Sequence, residues 1–139
     1  MRSYIRFSVG LVIVVISMMF LLACEDRPKE ADLKASLGKL AEEYWNKRLI
    51  DRDYKSTYSM EAVRGSLPFT EYQKKVFNAG QIAYISIKTQ DTKIEKDNGF
   101  VDLTMRCRVT SVPKELDLSY KKDRWVLKSG KWEHVLKEK

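Results

Sequence analysis

The hydrophobic pattern of this 139-residue chain changes period at Gly80. Before Gly80, apolar residues recur every three or four positions, which is the spacing of one face of a helix. After it, apolar and polar residues alternate, which is the spacing of one face of a strand. Helices followed by an antiparallel sheet make an α+β domain, with the helices on one side of the sheet.

Three helices are predicted before Gly80. The first begins near Ala31 and ends near Ile50. Its inner face carries six apolar residues at steps of three and four: Leu33, Leu37, Leu40, Ala41, Tyr44 and Trp45. We expect these side chains to form the helical half of the core.

Two shorter helices are predicted to follow. Tyr54 and Tyr58, four residues apart, belong to one that ends before Gly65. The other is predicted over residues 71 to 79, because Thr70 can cap its start and a glycine follows its end. Both helices would be short.

The sheet is predicted to have four or more antiparallel strands. A turn at residues 97–99 precedes a strand with five alternating apolar residues: Val101, Leu103, Met105, Cys107 and Val109. The alternation continues through residues 116–120 and reverses before Trp125. We expect a bulge or tight turn in KKDR, since a one-residue slip exchanges the two faces of a strand. Residues 129–130 should turn the chain into a last strand.

The first 24 residues have the features of an export signal. Arg2 and Arg6 precede a long apolar run, which ends in the sequence LLAC at Cys24. This ending resembles the lipobox of bacterial lipoproteins, in which the cysteine carries a diacylglycerol on sulfur and the chain is cut before it. A small alanine lets the peptidase approach the bond, and the thiol is the group that can carry the lipid.

An uncleaved membrane helix is the alternative interpretation. The apolar run over residues 7–23 is at the lower edge of the length that crosses a bilayer, at about 1.5 Å per residue. Cys24 favours the lipoprotein, because a membrane helix needs no thiol at this boundary. Both interpretations place the rest of the chain outside the cytoplasm, tethered to a membrane and facing the periplasm or the cell exterior.

The predicted organisation therefore has three parts. Residues 1–23 are a lipoprotein signal peptide, residues 24–31 a polar tether and residues 32–139 a single α+β domain. A diacyl or triacyl group is expected on Cys24, since one acyl chain alone anchors a protein weakly. Cys107 has no intramolecular disulfide partner once Cys24 is acylated, and on an apolar strand face it is expected to act as a small hydrophobic residue.

The closing stretch DRWVLKSGKWEHVLK carries a motif made by Asp123, Trp125, Gly130 and Trp132. With the order of elements and the helical stretch EEYWNKRLIDRDYKSTYSM, it resembles the nuclear-transport-factor-2-like superfamily of cystatin-like cones. The resemblance implies a sheet that curls around the helices and leaves a pocket. Some members use that pocket for catalysis, and many use it only for binding or assembly.

Six residues are candidates for lining such a pocket: Tyr44, Tyr58, Tyr84, Trp125, Trp132 and His134. Enzymatic members of the superfamily use an aspartate or a His–Asp pair as general base. His134 is the sole histidine, and Asp102 or Asp117 is its candidate partner. Each aspartate falls on the polar face of its own strand, so catalysis by His134 is not favoured and no catalytic residue is predicted.

The formal net charge is +7. Six cations could form a basic surface facing anionic lipid headgroups, or a solvated sheet face: Arg106, Arg108, Lys121, Lys122, Arg124 and Lys128. Nucleic acid is not an expected partner outside the cytoplasm. The sequence has no metal-ligand cluster, phosphate-binding glycine loop or nucleophile elbow, so no metal or cofactor is predicted.

The leading interpretation is a membrane-anchored exported lipoprotein with a non-enzymatic domain. That domain would bind a small apolar ligand or an envelope protein as its partner. One alternative is an isomerase-like or dehydratase-like enzyme that uses the cone pocket. The other is a structural subunit of an envelope complex.

Overall fold

The computed structural model describes residues 29–77 and 80–137. The predicted signal peptide and the lipidation site at Cys24 lie outside the described residues. Of the helices within them, none combines the length and the apolar character needed to cross a membrane.

The helical half begins with α1 (Glu30–Asn46), one residue before the predicted start. The chain continues as a π-helical segment over Lys47–Asp51, so the last predicted turn is wound more loosely than an α-helix. Arg52, at φ 57°, ends it. The short helices α2 (Tyr54–Ser59) and α3 (Phe69–Val76) follow.

The predicted start and end of α3 were wrong. Thr70 lies inside the helix, and Pro68 holds the N-cap position without a capping side chain. Proline is compatible with this position, because its φ of −59° is the one that its ring fixes. The helix ends at Val76 and not at residue 79.

The helix α2 does have a capping side chain. The carboxylate of Asp53 accepts a hydrogen bond from the backbone N–H of Ser56.

The second half is a curled antiparallel sheet that forms a half-barrel, and it confirms the predicted α+β, cone-like class. Its strands are β1 (Ile82–Glu95), β2 (Asn98–Val109), β3 (Glu115–Lys128) and β4 (Lys131–His134), paired in chain order. The turn predicted at residues 129–130 is confirmed, with φ of 48° and 76°.

The turn between β1 and β2 is displaced from its predicted place. Lys96 and Asp97 form it, and Gly99 lies inside β2. A Cβ atom on Gly99 would stand 2.3 Å from a methyl carbon of Leu37 and 3.3 Å from the ring of Trp132. The glycine therefore serves the close approach of α1 to the sheet and not the turn.

The bulge predicted in KKDR is confirmed. Lys121 and Lys122 stand opposite Asp102 alone, and Lys122 has a φ of 57°. The carboxylate of Asp102 accepts a hydrogen bond of 2.9 Å from the backbone N–H of Lys122. Beyond the bulge, Asp123 and Trp125 point to the buried side of the sheet.

The main core lies between α1 and the concave face of the sheet. Its buried members are Leu37, Ala41, Tyr44, Trp45, Ile87, Val101, Leu103, Met105 and Trp125. Cys107 is also fully buried, as expected for a small hydrophobic residue. Leu118 is 39% exposed, although its alternation predicted the apolar face; it lies on β3 outside the stretch Trp125–Lys128 that pairs with β4. A smaller core of Tyr54, Tyr72 and Val76 joins α2 to α3.

Candidate functional site

A buried histidine between two carboxylates is the central polar feature of the core. The His134 side chain is 2% exposed. Its Nδ1 lies 3.0 and 3.1 Å from the two carboxylate oxygens of Glu61, and its Nε2 lies 3.1 Å from Oδ1 of Asp123. Both ring nitrogens therefore meet an acidic partner.

Three separate elements deliver these side chains. His134 ends β4, and Glu61 follows α2. A parallel bridge aligns the two segments: the backbone N–H of His134 donates to the carbonyl of Met60, and that of Ala62 to the carbonyl of His134, each at 2.8 Å. The bulge in β3 turns Asp123 inward to meet the ring from the other side.

Both carboxylates accept further hydrogen bonds from neighbouring side chains. Oδ2 of Asp123 accepts hydrogen bonds from the indole N–H groups of Trp45, at 2.9 Å, and Trp125, at 2.8 Å. The hydroxyl of Tyr44 donates to Glu61. That same hydroxyl accepts a hydrogen bond of 2.9 Å from Arg48. We call these seven residues the buried histidine network: Tyr44, Trp45, Arg48, Glu61, Asp123, Trp125 and His134.

The network favours the charged form of its histidine. Burial by itself lowers the pKa of His134, but hydrogen bonds to Asp123 and Glu61, together with their charges, outweigh burial and hold the pKa above 6.5. An imidazolium donates from both nitrogens, and this matches an acceptor on either side. The charged imidazole then lies between the two carboxylates and offsets part of their negative charge.

The pKa of the Tyr44 hydroxyl is also displaced. Burial is the main cause and raises it well above 10.0; the nearby guanidinium of Arg48 opposes this effect, and the carboxylate of Glu61 adds to it. Tyr44 therefore stays neutral and remains a hydrogen-bond donor to Glu61 at physiological pH.

In this arrangement the imidazole of His134 is covered by aromatic rings. The ring of Tyr44 stacks on the imidazole, and the indoles of Trp125 and Trp45 meet it edge-on at 5.3 and 5.8 Å. A general base needs a free lone pair within reach of its substrate. Both nitrogens of His134 are engaged, so the network can fix neighbouring side chains but has no open position for a substrate.

One of those fixed side chains forms the floor of an open cleft between α3, β3 and the segment after β4. The cleft has a volume of about 700 Å³. Trp45 and Tyr120 form its floor, with their ring centroids 5.0 Å apart and inclined by 60°. We call it the aromatic cleft; its lining residues are Trp45, Arg48, Glu71, Lys74, Lys75, Tyr120, Leu136 and Lys137.

The charge around the aromatic cleft is unbalanced. Lys74 pairs with Glu71 at 2.9 Å. Within the described residues, no carboxylate oxygen lies within 4 Å of the charged group of Arg48, Lys75 or Lys137. Arg48 lies over the ring of Trp45, 4.7 Å from its centroid, and Lys137 lies 5.9 Å from that of Tyr120.

The six residues proposed from the sequence to line a pocket fall in three places. Tyr44, Trp125 and His134 meet in the buried histidine network. Tyr58 packs in the smaller core, where its hydroxyl donates to the carbonyl of Leu67. Tyr84 and Trp132 are half-buried at the edge of the main core. The lining of the aromatic cleft comes from other residues.

The partners of His134 are not the aspartates that sequence reasoning considered. Asp102 binds Lys121 and the backbone of Lys122, while Asp117 binds Arg106, all on the solvent side. The expectation that these two aspartates stay on the polar face is confirmed.

Sequence reasoning missed Asp123 and Glu61 as partners of the histidine. The reversal of alternation before Trp125 was a usable signal for Asp123, because it moves both residues to the buried face. Glu61 has no comparable signal, since it follows a short helix outside any periodic run.

The six cations considered as a basic surface are largely paired on the sheet face. Arg106 pairs with Asp117 at 3.0 Å, Arg108 with Glu115 at 2.9 Å, and Lys121 with Asp102 at 2.9 Å. Lys128 lies 3.6 Å from Glu133, and Arg124 donates to the side chain of Asn98. Four of the six cations thus lie within 4 Å of a carboxylate, which favours the solvated sheet face that was the second interpretation offered by the sequence.

Metal binding finds no support in the described residues, where no group of three or more His, Cys, Asp and Glu side chains is placed to hold an ion. Comparison with protein-family models and with curated proteins found no match to this chain.

Proposed function

We propose that this chain is a membrane-anchored exported lipoprotein whose α+β domain binds a small ligand without transforming it. The ligand site is the aromatic cleft, over Trp45 and Tyr120. The observation that carries the proposal is an open cleft of about 700 Å³ with two aromatic rings as its floor. Ligand sites in proteins are typically concave, largely apolar and about 300–1,000 Å³ in volume.

The floor of the cleft is rigidly held. Trp45 is held by the hydrogen bond from its indole N–H to Asp123 and by the guanidinium of Arg48 over its ring. A side chain that is already ordered loses little conformational entropy when a ligand binds, so more of the contact energy contributes to affinity. This gives the buried histidine network a role in binding that needs no reaction at His134.

The anchor is supported by the sequence alone. The charged start, the apolar run and the LLAC ending at Cys24 are the features of a lipoprotein signal. The cone-like α+β fold is compatible with the resemblance to the nuclear-transport-factor-2-like superfamily, in which many members bind without catalysis. The domain would then be tethered to the membrane through the residues that precede α1.

An enzyme centred on His134 is less well supported than a binding module. Such an enzyme would have to break at least one of the bonds from His134 to Glu61 or Asp123 before the ring could accept a proton. It would also have to expose a ring that is 2% accessible. A purely structural subunit would have no need of a cleft with an ordered aromatic floor.

The test uses the lipidated chain in nanodiscs of phosphatidylcholine and a panel of small aromatic compounds, measured by saturation-transfer NMR. Compounds that bind should lose their signal in the Tyr120→Ala variant. Tyr84→Ala is the matched control, because Tyr84 is also a half-buried tyrosine of the sheet but lies outside the cleft. Equal loss in both variants, or no binding by any compound, would contradict the proposal.

A further inference from the structure

We infer that the ligand of the aromatic cleft is a small organic acid, with a flat apolar body on Trp45 and Tyr120 and an anionic head among Arg48, Lys75 and Lys137. This inference rests on the proposed function and adds the charge and shape class of the ligand. It draws on three observations: the charge of the rim, the shape of the floor and the position of the cleft.

The rim has cationic groups that lack anionic partners. Of its four cations, Lys74 alone pairs with a carboxylate among the described residues, through Glu71. The other three converge on one cleft, and like charges that share a low-dielectric wall repel one another. An anion placed between them relieves that repulsion, and the focused positive field would also attract it from solution.

The floor selects the body of the ligand. Tyr120 is half-buried and offers the accessible ring, Trp45 is 6% exposed and contributes the edge of the floor inclined to it by 60°, and Leu136 adds an aliphatic wall. Aromatic and planar groups pack well in such an angle, either stacked on one ring or edge-on to the other. Arg48 already covers part of the Trp45 ring, so a head group that binds Arg48 would bring its own body onto the floor.

The position of the cleft favours a free acid over a membrane lipid. Trp45 lies near the C-terminal end of α1, whereas the expected tether joins the N-terminal end of that helix at Lys29. A helix of 17 residues is about 25 Å long at 1.5 Å per residue. The cleft thus lies about the length of α1 away from the N-terminal end of that helix, where the expected tether joins.

The experiment compares three probes that share one ring system and differ in charge: 2-naphthoate, neutral 2-naphthamide and cationic 2-naphthylmethylammonium. Each is titrated into the lipidated chain in phosphatidylcholine nanodiscs by calorimetry, with empty nanodiscs subtracted. We expect 2-naphthoate to bind at least about tenfold more tightly than the amide, and the ammonium compound to bind most weakly. The preference for the acid should shrink as salt is added.

Two double variants test whether the preference for the acid comes from the lysines of the aromatic cleft. Lys75→Gln with Lys137→Gln should weaken 2-naphthoate by roughly five- to tenfold and leave the amide unchanged, the size expected of two solvent-exposed ion pairs. Lys39→Gln with Lys131→Gln is the matched control. It removes the same net charge from exposed positions outside the cleft that form no ion pair among the described residues.

The outcomes separate this inference from the proposed function. If the amide binds as tightly as the acid and both depend on Tyr120, the binding site stands and the acid preference is overturned. If both double variants weaken 2-naphthoate equally, net charge and not the cleft is responsible, and the inference is again overturned. If none of the three probes binds the unmodified chain, the inference and the proposed site fall together.

Discussion

The imidazole of His134 stacks on the phenol ring of Tyr44, with ring centroids 4.2 Å apart and planes inclined by 24°. Tyr44 belongs to α1 and His134 to β4, so the stack joins the helical half of the domain to the last strand. Both side chains also bind Glu61. The stack and the two hydrogen bonds to Glu61 therefore join α1, the sheet and the segment that follows α2.

The first prediction concerns the protonation of this histidine. In the folded protein His134 should titrate with a pKa above 6.5, because its hydrogen bonds to Asp123 and Glu61 outweigh the effect of burial. It is the sole histidine of the chain, so a single imidazole signal in a proton–carbon NMR spectrum reports its titration. Glu61→Gln should lower the midpoint, since it removes a negative charge beside Nδ1.

Glu71→Gln provides the comparison for that titration, because Glu71 is exposed on α3 and makes no contact with the ring. This variant should titrate like the unmodified protein. A midpoint at or below 6.5 in the unmodified protein would show that the two carboxylates do not stabilise the imidazolium.

The second prediction is a dependence of stability on pH. A histidine whose pKa is raised by folding contributes its full stabilisation below its unfolded pKa, about 6.5, and loses it as the pH rises through the folded value. The free energy of unfolding should therefore fall as the pH rises above about 6.5 and through the higher, folded pKa of His134. Each unit of difference between the folded and unfolded pKa corresponds to about 1.4 kcal/mol.

Urea unfolding across this range measures the effect. Glu61→Gln should show a smaller fall, since the raised pKa depends in part on that carboxylate. An unfolding free energy that stays constant or increases with pH over the same range would argue that His134 is neutral when the protein is folded.

The third prediction tests the close approach of α1 to the sheet. Gly99→Ala should lower the free energy of unfolding by about 1–3 kcal/mol, the usual cost of forcing extra volume into a packed core. The added carbon would stand 2.3 Å from the buried side chain of Leu37, and Trp132 closes the other side. Gly65→Ala should change stability by less than about 0.5 kcal/mol, since nothing lies within 4 Å of the added carbon there. Similar effects of the two substitutions in urea unfolding would mean that α1 can move aside.

The fourth prediction concerns the anchor. Intact mass spectrometry of the protein extracted from membranes should give a chain that begins at Cys24 and carries at least a diacylglycerol, because the LLAC sequence matches a lipobox. Cys24→Ser should block both changes, whereas Cys107→Ser, at the other cysteine, should leave them intact. A mass that corresponds to the chain from Met1 with a free thiol at position 24 would contradict the lipoprotein assignment.

Several features of the fold could be predicted because they depend on neighbours in the chain. The change of period at Gly80 predicts helices followed by strands, and the structure has them in that order. The reversed alternation before Trp125 predicts the bulge at Lys121 and Lys122. A strand exposes alternate residues to opposite faces, so the pattern of a single segment is enough for such predictions.

Other predictions failed because a distant residue decides the outcome. Gly99 follows Asp97 and Asn98 and was assigned to the turn, but the buried side chain of Leu37 on α1 is what requires a glycine there. Leu118 alternates like a core residue and yet is exposed, outside the stretch of β3 that pairs with β4.

The sequence by itself determined that helices precede a sheet of alternating strands, and it predicts an export signal before them. Only the tertiary structure decided that His134 meets Glu61, 73 residues earlier, and that Lys75 and Lys137 share one cleft. Periodicity states which face of its own element a side chain occupies. It carries no information on which side chain of another element will face it, because that depends on how the elements pack.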